Sequence, residues 1–125
     1  MGISIANIDH VVLNVQDMDR ALSFYRDVLG CNVEREVESI GLVQMRAGAC
    51  MIDLVPADRK VSGPNMDHFC VRVEPWDEAA VRAHLEKHSV AVDQAGLRYG
   101  AEGEGPSIYI TDPDGNTVEL KGPAV

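Results

Sequence analysis

The chain has 125 residues, 46% of them hydrophobic, which matches the size and core of one ordinary domain. Its 20 acids against 11 bases give a net charge of −9, which opposes phosphate backbones and anionic lipid surfaces, so neither nucleic acid nor membrane is an expected partner. No apolar run approaches the roughly 18 residues of a membrane span, and Met1-Gly2-Ile3-Ser4 is not a basic lead into an apolar stretch; the expected location is cytoplasmic.

Residues 8–15, Ile8-Asp9-His10-Val11-Val12-Leu13-Asn14-Val15, read as a strand, with Val11, Leu13 and Val15 on one face and His10, Val12 and Asn14 on the other. Asp17 is placed to cap a helix running to Leu29, with Ala21, Leu22, Tyr25, Val28 and Leu29 on one face and Gly30 ending it. Three shorter strands follow at about 32–38, 41–47 and 49–55, separated by Gly41 and Gly48. Residues 58–64, with Lys60, Ser62, Gly63 and Pro64, read as a linker.

The same order then begins again. Met66-Asp67-His68-Phe69-Cys70-Val71-Arg72-Val73 repeats the first strand's pattern, with His68, Cys70 and Arg72 opposite Phe69, Val71 and Val73. A helix is predicted from about Pro75 to Lys87, then strands near 90–95, 107–111 and 117–121. The glycine-rich stretch from Gly96 to Gly105 reads as a flexible turn, and Asp112-Pro113-Asp114-Gly115 as a tight turn before the last strand. The whole is βαβββ written twice: an α+β domain over residues 1–125, built of modules at about 1–57 and 65–125.

Each module ends on a strand with one acid, Asp53 between Ile52 and Leu54, and Glu119 between Val118 and Leu120. By alternation, His10, His68, Asp53 and Glu119 all lie opposite the face that packs under the helices. A single strand histidine is commonly a hydrogen-bonded structural group. Two carboxylates buried together without a cation, however, would each carry a penalty of about several kcal/mol. If the two sheets curl toward each other, the four residues converge in an eight-stranded cup, and a divalent ion removes that penalty. Two imidazoles and two carboxylates suit nickel, zinc, iron, cobalt or manganese without choosing among them.

Other features rank below this set. Cys31, Cys50 and Cys70 are odd in number and scattered, as expected of reduced core thiols. His84 and His88 sit among Arg82, Glu86 and Lys87, as on a solvated helix surface. Arg72, on the face of His68, is suited either to gripping a substrate carboxylate or phosphonate or to an internal salt bridge. Tyr109 shares a face with Ser107.

Ile8-Asp9-His10, Phe24-Tyr25-Arg26-Asp27-Val28-Leu29-Gly30, Asp67-His68 and Ser107-Ile108-Tyr109-Ile110-Thr111-Asp112-Pro113-Asp114-Gly115-Asn116 with Glu119 resemble the vicinal oxygen chelate superfamily, which includes glyoxalase I, extradiol dioxygenases and the fosfomycin and bleomycin resistance proteins. The resemblance implies paired βαβββ modules around one divalent metal ion per site and homodimeric assembly. It makes His10, His68 and Glu119 ligands, with Asp53 at the fourth place, where glyoxalase I has glutamate. It sets Tyr109 beside the metal as a donor. Asn14 stands where glyoxalase I typically has a glutathione-binding arginine, and Arg72 takes the corresponding place in the second module.

The activity implied is that of a lyase or isomerase acting on a small substrate with two neighbouring oxygens, through a metal-stabilised enediolate. Glu119 is the expected base, Tyr109 a further catalytic group, and Arg72 and Asn14 the expected substrate contacts. Two alternatives stay open. His10, His68 and Glu119 alone form the two-histidine, one-carboxylate face of a small extradiol dioxygenase. A metal-free protein that sequesters a drug, of the bleomycin resistance kind, would use the same cup for binding only.

Overall fold

Strand alternation sorts the first module into an apolar and a polar face. In a computed structural model that describes residues 7–57 and 66–125, strand β1 (His10–Val15) buries Leu13 and Val15 and exposes His10, Val12 and Asn14. Strands β2 (Asn32–Val37), β3 (Leu42–Ala47) and β4 (Cys50–Pro56) complete a four-stranded sheet in the order β1-β4-β3-β2. β1 runs parallel to β4, and the other neighbours are antiparallel. The register sets Leu13 and Val43 beside Leu54, and Met45 beside Ile52, so one face is continuous core. Gly41 turns the chain into β3 at φ 67°, where a β-carbon would stand 2.8 Å from Pro56 Cγ.

The helix over this face departs from the predicted pattern. Asp17 caps it as expected, its carboxylate accepting from the Arg20 N–H at 3.1 Å, but the α-helical part, α1, is only Met18–Leu22. Ser23–Val28 continues as a wider π turn in which the Leu29 N–H donates five residues back to Phe24 O. That turn carries Phe24 into the core beside Tyr25, their rings edge to face at 5.1 Å, while Leu22, Val28 and Leu29 stay partly exposed.

The second module repeats the plan in strands β5 (His68–Arg72), β6 (Gln94–Gly100), β7 (Gly103–Thr111) and β8 (Thr117–Lys121), ordered β5-β8-β7-β6, with β5 parallel to β8. Helix α2 is Glu78–Lys87, three residues shorter at its start than predicted, because Asp77 is extended and accepts the Ala80 N–H at 3.1 Å. Trp76, outside the helix, packs on Gly122, where any β-carbon would lie 2.7 Å from the indole. Ile108, Ile110, Val118, Leu120 and Leu85 are buried.

The largest correction concerns Gly96 to Gly105. This is no flexible turn but most of a hairpin, with β6 and β7 paired from Gln94↔Tyr109 to Gly100↔Gly103. Backbone contacts divide the chain into two compact units, Met1–Val61 and Ser62–Val125, each holding one βαβββ module. The linker expected at residues 58–64 lies outside the described residues. No helix among the described residues is long and apolar enough to cross a membrane.

The turn before β8 is held from inside. Asp112, 5% exposed, accepts the N–H groups of Asp114 and Asn116 at 2.9 and 2.7 Å and the Asn116 side-chain amide at 2.9 Å. Asp112→Ala strands these donors, so it should lower stability by about 2–4 kcal/mol, read as a lower urea midpoint; an unchanged midpoint would show that the turn does not depend on them.

Candidate metal and substrate site

Glu119 lies in an inner strand and is 5% exposed. Both neighbouring strands supply its partners. From β7, Ser107 Oγ donates to Glu119 Oε2 at 2.6 Å, and the Tyr109 hydroxyl bonds to the same carboxylate. From β5, His68 Nε2 stands 3.3 Å from Glu119 Oε1, and the Cys70 thiol reaches the same carboxylate. The register explains this convergence, since Glu119 is level with Tyr109 on one side and Cys70 on the other. Burial chiefly, and then the bond to Glu119 and its charge, raise the Tyr109 pKa above its usual 10.0. The His68 and Tyr109 rings meet edge to face at 5.8 Å.

His68 is oriented through its other nitrogen: Nδ1 lies 2.6 Å from Asp67 Oδ1, which leaves Nε2 turned to Glu119. The first unit repeats the device, with His10 Nδ1 2.7 Å from Asp9 Oδ1. A carboxylate on one imidazole nitrogen sets the ring and its tautomer for a ligand on the other. The Asp9 bond also raises the His10 pKa above 6.5, and the charges of Asp53 and Asp9 add to the effect. The role of these two aspartates escaped the sequence reading, although Asp-His at the head of both modules was its visible signal.

Asp53, on β4, is 3% exposed. Its Oδ2 accepts from Gln44 Nε2 at 3.2 Å, and Gln44 in turn accepts from Arg35 at 3.0 Å. Asp53 Oδ1 is buried with no hydrogen-bond partner among the described residues. A buried carboxylate oxygen left unpaired is costly, and a cation is a natural partner for it. The chemistry of each pair, an imidazole nitrogen with a buried carboxylate, therefore fits a divalent ion. Among the described residues no group of three or more His, Cys, Asp or Glu is arranged to hold a metal ion by itself; the candidate ligands stand as two pairs, His10 with Asp53 and His68 with Glu119.

The remaining expected residues separate. Asn14 is exposed on β1, on the His10 face. Arg72 is on the face of His68, but its Nε donates to Glu102 at 2.8 Å and its guanidinium also bonds Val73 O, so the salt bridge is what forms. His84 and His88 lie with ring centroids 4.7 Å apart at the end of α2. All three cysteines are free, but only Cys31 is in the core; Cys50 is half-buried and Cys70 exposed, because their strand positions put them off the helix-covered face.

The Glyoxalase/Bleomycin resistance protein/Dioxygenase superfamily model matches residues 7–120. Virulence protein STM3117 of Salmonella typhimurium is 30% identical over 121 residues, 93% of this chain and 83% of that protein. Its crystal structure matches with a TM-score of 0.83 at 29% identity, over 98% of this chain and 100% of that one. Mitochondrial methylmalonyl-CoA epimerase of Mus musculus is 29% identical over 133 residues, 94% of this chain and 73% of that protein. The crystal structure of lactoylglutathione lyase from Agrobacterium tumefaciens matches with a TM-score of 0.70 at 26% identity, over 94% of each chain.

Two outcomes test this geometry without a metal. In chelator-treated protein the His10 imidazole should titrate above 6.5, and Asp9→Asn should bring its midpoint down. The sign follows from linkage: the His10–Asp9 contribution is fully present below 6.5 and is lost as pH rises through the raised midpoint. Histidine NMR reads this directly, and equal midpoints in both proteins would refute the pairing. Cys70 is exposed as a residue, but partial burial of its thiol, and then Glu119, push that thiol up to about 11. At pH 8 iodoacetamide should therefore label Cys70 roughly tens of times more slowly than an ordinary thiol, and Glu119→Gln should speed it. Peptide mass spectrometry would follow the label, and fast labelling of the wild type would contradict the assigned environment.

Proposed function

The chain belongs to the glyoxalase/bleomycin resistance protein/dioxygenase superfamily, and from that membership and its two histidine–carboxylate pairs we propose a metal-dependent enzyme of the glyoxalase-like lyase or isomerase kind. Its substrate is a small molecule with two neighbouring oxygens. The observation that carries this reading is the pairing of oriented imidazoles with buried carboxylates in both units, including the unpartnered Oδ1 of Asp53. The proposed ligand pairs are His10 with Asp53 and His68 with Glu119. When bound, a divalent ion such as nickel, zinc, iron, cobalt or manganese supplies Lewis-acid stabilisation of negative charge developing on the substrate oxygens.

The chain's own groups do the rest. Glu119 Oε1 faces His68, while Oε2 is held by Ser107, so one oxygen is anchored and the other is placed to take a proton from the substrate carbon. Tyr109, bonded to that carboxylate and raised in pKa, stays protonated at neutral pH and orients it as a donor. Arg72 and Asn14 contact the substrate outside the reacting atoms.

Metal content settles the first step. Protein purified tag-free and without oxygen should carry a divalent metal by mass spectrometry, and His68→Ala and Glu119→Gln should each lose most of it. Because His84 and His88 could bind a metal ion adventitiously, a His84→Ala/His88→Ala variant serves as a control that should retain the metal. No metal in the wild type after incubation with each ion would overturn the enzyme reading and favour a ligand-sequestering protein.

A further inference from the structure

The face of the second sheet that carries Glu119 also carries cations, in a chain whose net charge is −9. Lys121, one alternation beyond Glu119 on β8, is 5% exposed. Its ammonium donates to the carbonyls of Arg98 and Gly105 and forms no ion pair among the described residues. Arg72 is level with Lys121 on the adjacent parallel strand and projects from the same face. Arg98, on β6, faces the same side and lies over the Tyr109 ring, 5.5 Å from its centroid.

The glycines of the hairpin make room for these chains. A β-carbon on Gly100 would stand 2.7 Å from Lys121 Cε, and one on Gly96 would stand 2.7 Å from the Arg98 guanidinium. Glycine at these two sites leaves the backbone bare where long basic side chains cross it. A strand interior otherwise disfavours glycine, and close approach is the usual reason to find it there. Glu102, at the tip of the hairpin, supplies the single carboxylate in this group, and it lies against Arg72 with its own side chain 54% exposed.

A buried ammonium whose charge meets only carbonyl dipoles is incompletely compensated, and an anion beside it would offset that cost. We propose that Arg72 and Lys121 form an anion subsite that takes a carboxylate or phosphate arm of the substrate, with Glu102 occupying the guanidinium until that arm displaces it. The proposal rests on the reading of Glu119 and His68 as the reacting end of the site. It specifies the substrate as an acid whose anionic arm lies about 7 Å from its vicinal oxygens, the distance between alternate residues of a strand. Arg98 flanks the subsite and keeps Tyr109 in place.

The test uses the chelator-treated full chain, with inorganic phosphate and glutarate titrated separately by calorimetry at constant ionic strength. One of them should bind the wild type, and which one binds more tightly identifies the arm as phosphate or carboxylate. Glu102→Gln removes the internal competitor and should tighten binding about two- to fivefold. Arg72→Gln should weaken it about tenfold. Lys121→Met should weaken it as well; should that variant fail to fold by circular dichroism, the opposite shifts in the two surface variants still decide. Binding of neither anion, or wild-type affinity in both Arg72→Gln and Glu102→Gln, would overturn the subsite. Metal content measured on the untreated batches separates the two readings: metal retained with no anion binding removes the subsite alone, and anion binding without metal removes the metal centre alone.

Discussion

A carboxylate kept at 5% exposure inside a β-sheet needs donors from both sides, and the second unit is arranged around that need at Glu119. The strand order β5-β8-β7 places one neighbour on either flank, so Ser107 and Tyr109 approach from β7 while His68 and Cys70 approach from β5. Parallel pairing on one side and antiparallel pairing on the other is the consequence of a βαβββ chain whose first strand meets its last. On the opposite face Val118 and Leu120 hold β8 in the core, and Leu85 of α2 is buried as well. Glu119 is therefore fixed by apolar packing behind it and by hydrogen bonds in front.

The first unit obeys the same constraint with less satisfaction. Asp53 occupies the position that corresponds to Glu119, but among the described residues its shorter side chain is hydrogen-bonded by Gln44 alone, and one oxygen is left without a partner. Native proteins rarely tolerate such an atom unless something outside the protein completes it. In both units a carboxylate orients an exposed imidazole, Asp9 on His10 and Asp67 on His68. The hairpin of the second unit adds a different preparation, in which glycines at 96 and 100 let basic side chains lie across the sheet. Charge of one sign is thus concentrated locally against the chain's overall balance, which bears on substrate choice more than on stability.

Period-two alternation and the repeat itself make much of this architecture legible in the sequence. Val11, Leu13 and Val15 against His10, Val12 and Asn14 is a pattern that only one strand orientation satisfies, and a second copy in the same order implied the second sheet. Caps and turns were equally readable where one residue carries the mechanism, as at Asp17, Gly30 and Gly41. The errors lie where tertiary neighbours override a local signal. The glycines between 96 and 105 read as a turn when Gly96 and Gly100 instead leave room for the side chains of Arg98 and Lys121. The π turn at Ser23–Val28 depends on packing Phe24 and Tyr25 together, which no spacing rule encodes.

The sequence alone determined which residues alternate to the polar face, and hence that two histidines and two acids lie opposite the apolar faces of their strands, because side-chain direction on a strand follows from backbone geometry. Only the tertiary structure decided what those residues touch: that Ser107 anchors Glu119, that Gln44 reaches Asp53, that Arg72 is tied to Glu102, and that the buried Lys121 ammonium donates to two backbone carbonyls. These contacts join positions on different strands, and register, hairpin length and the direction a long side chain takes across a neighbour are set by packing rather than by local sequence.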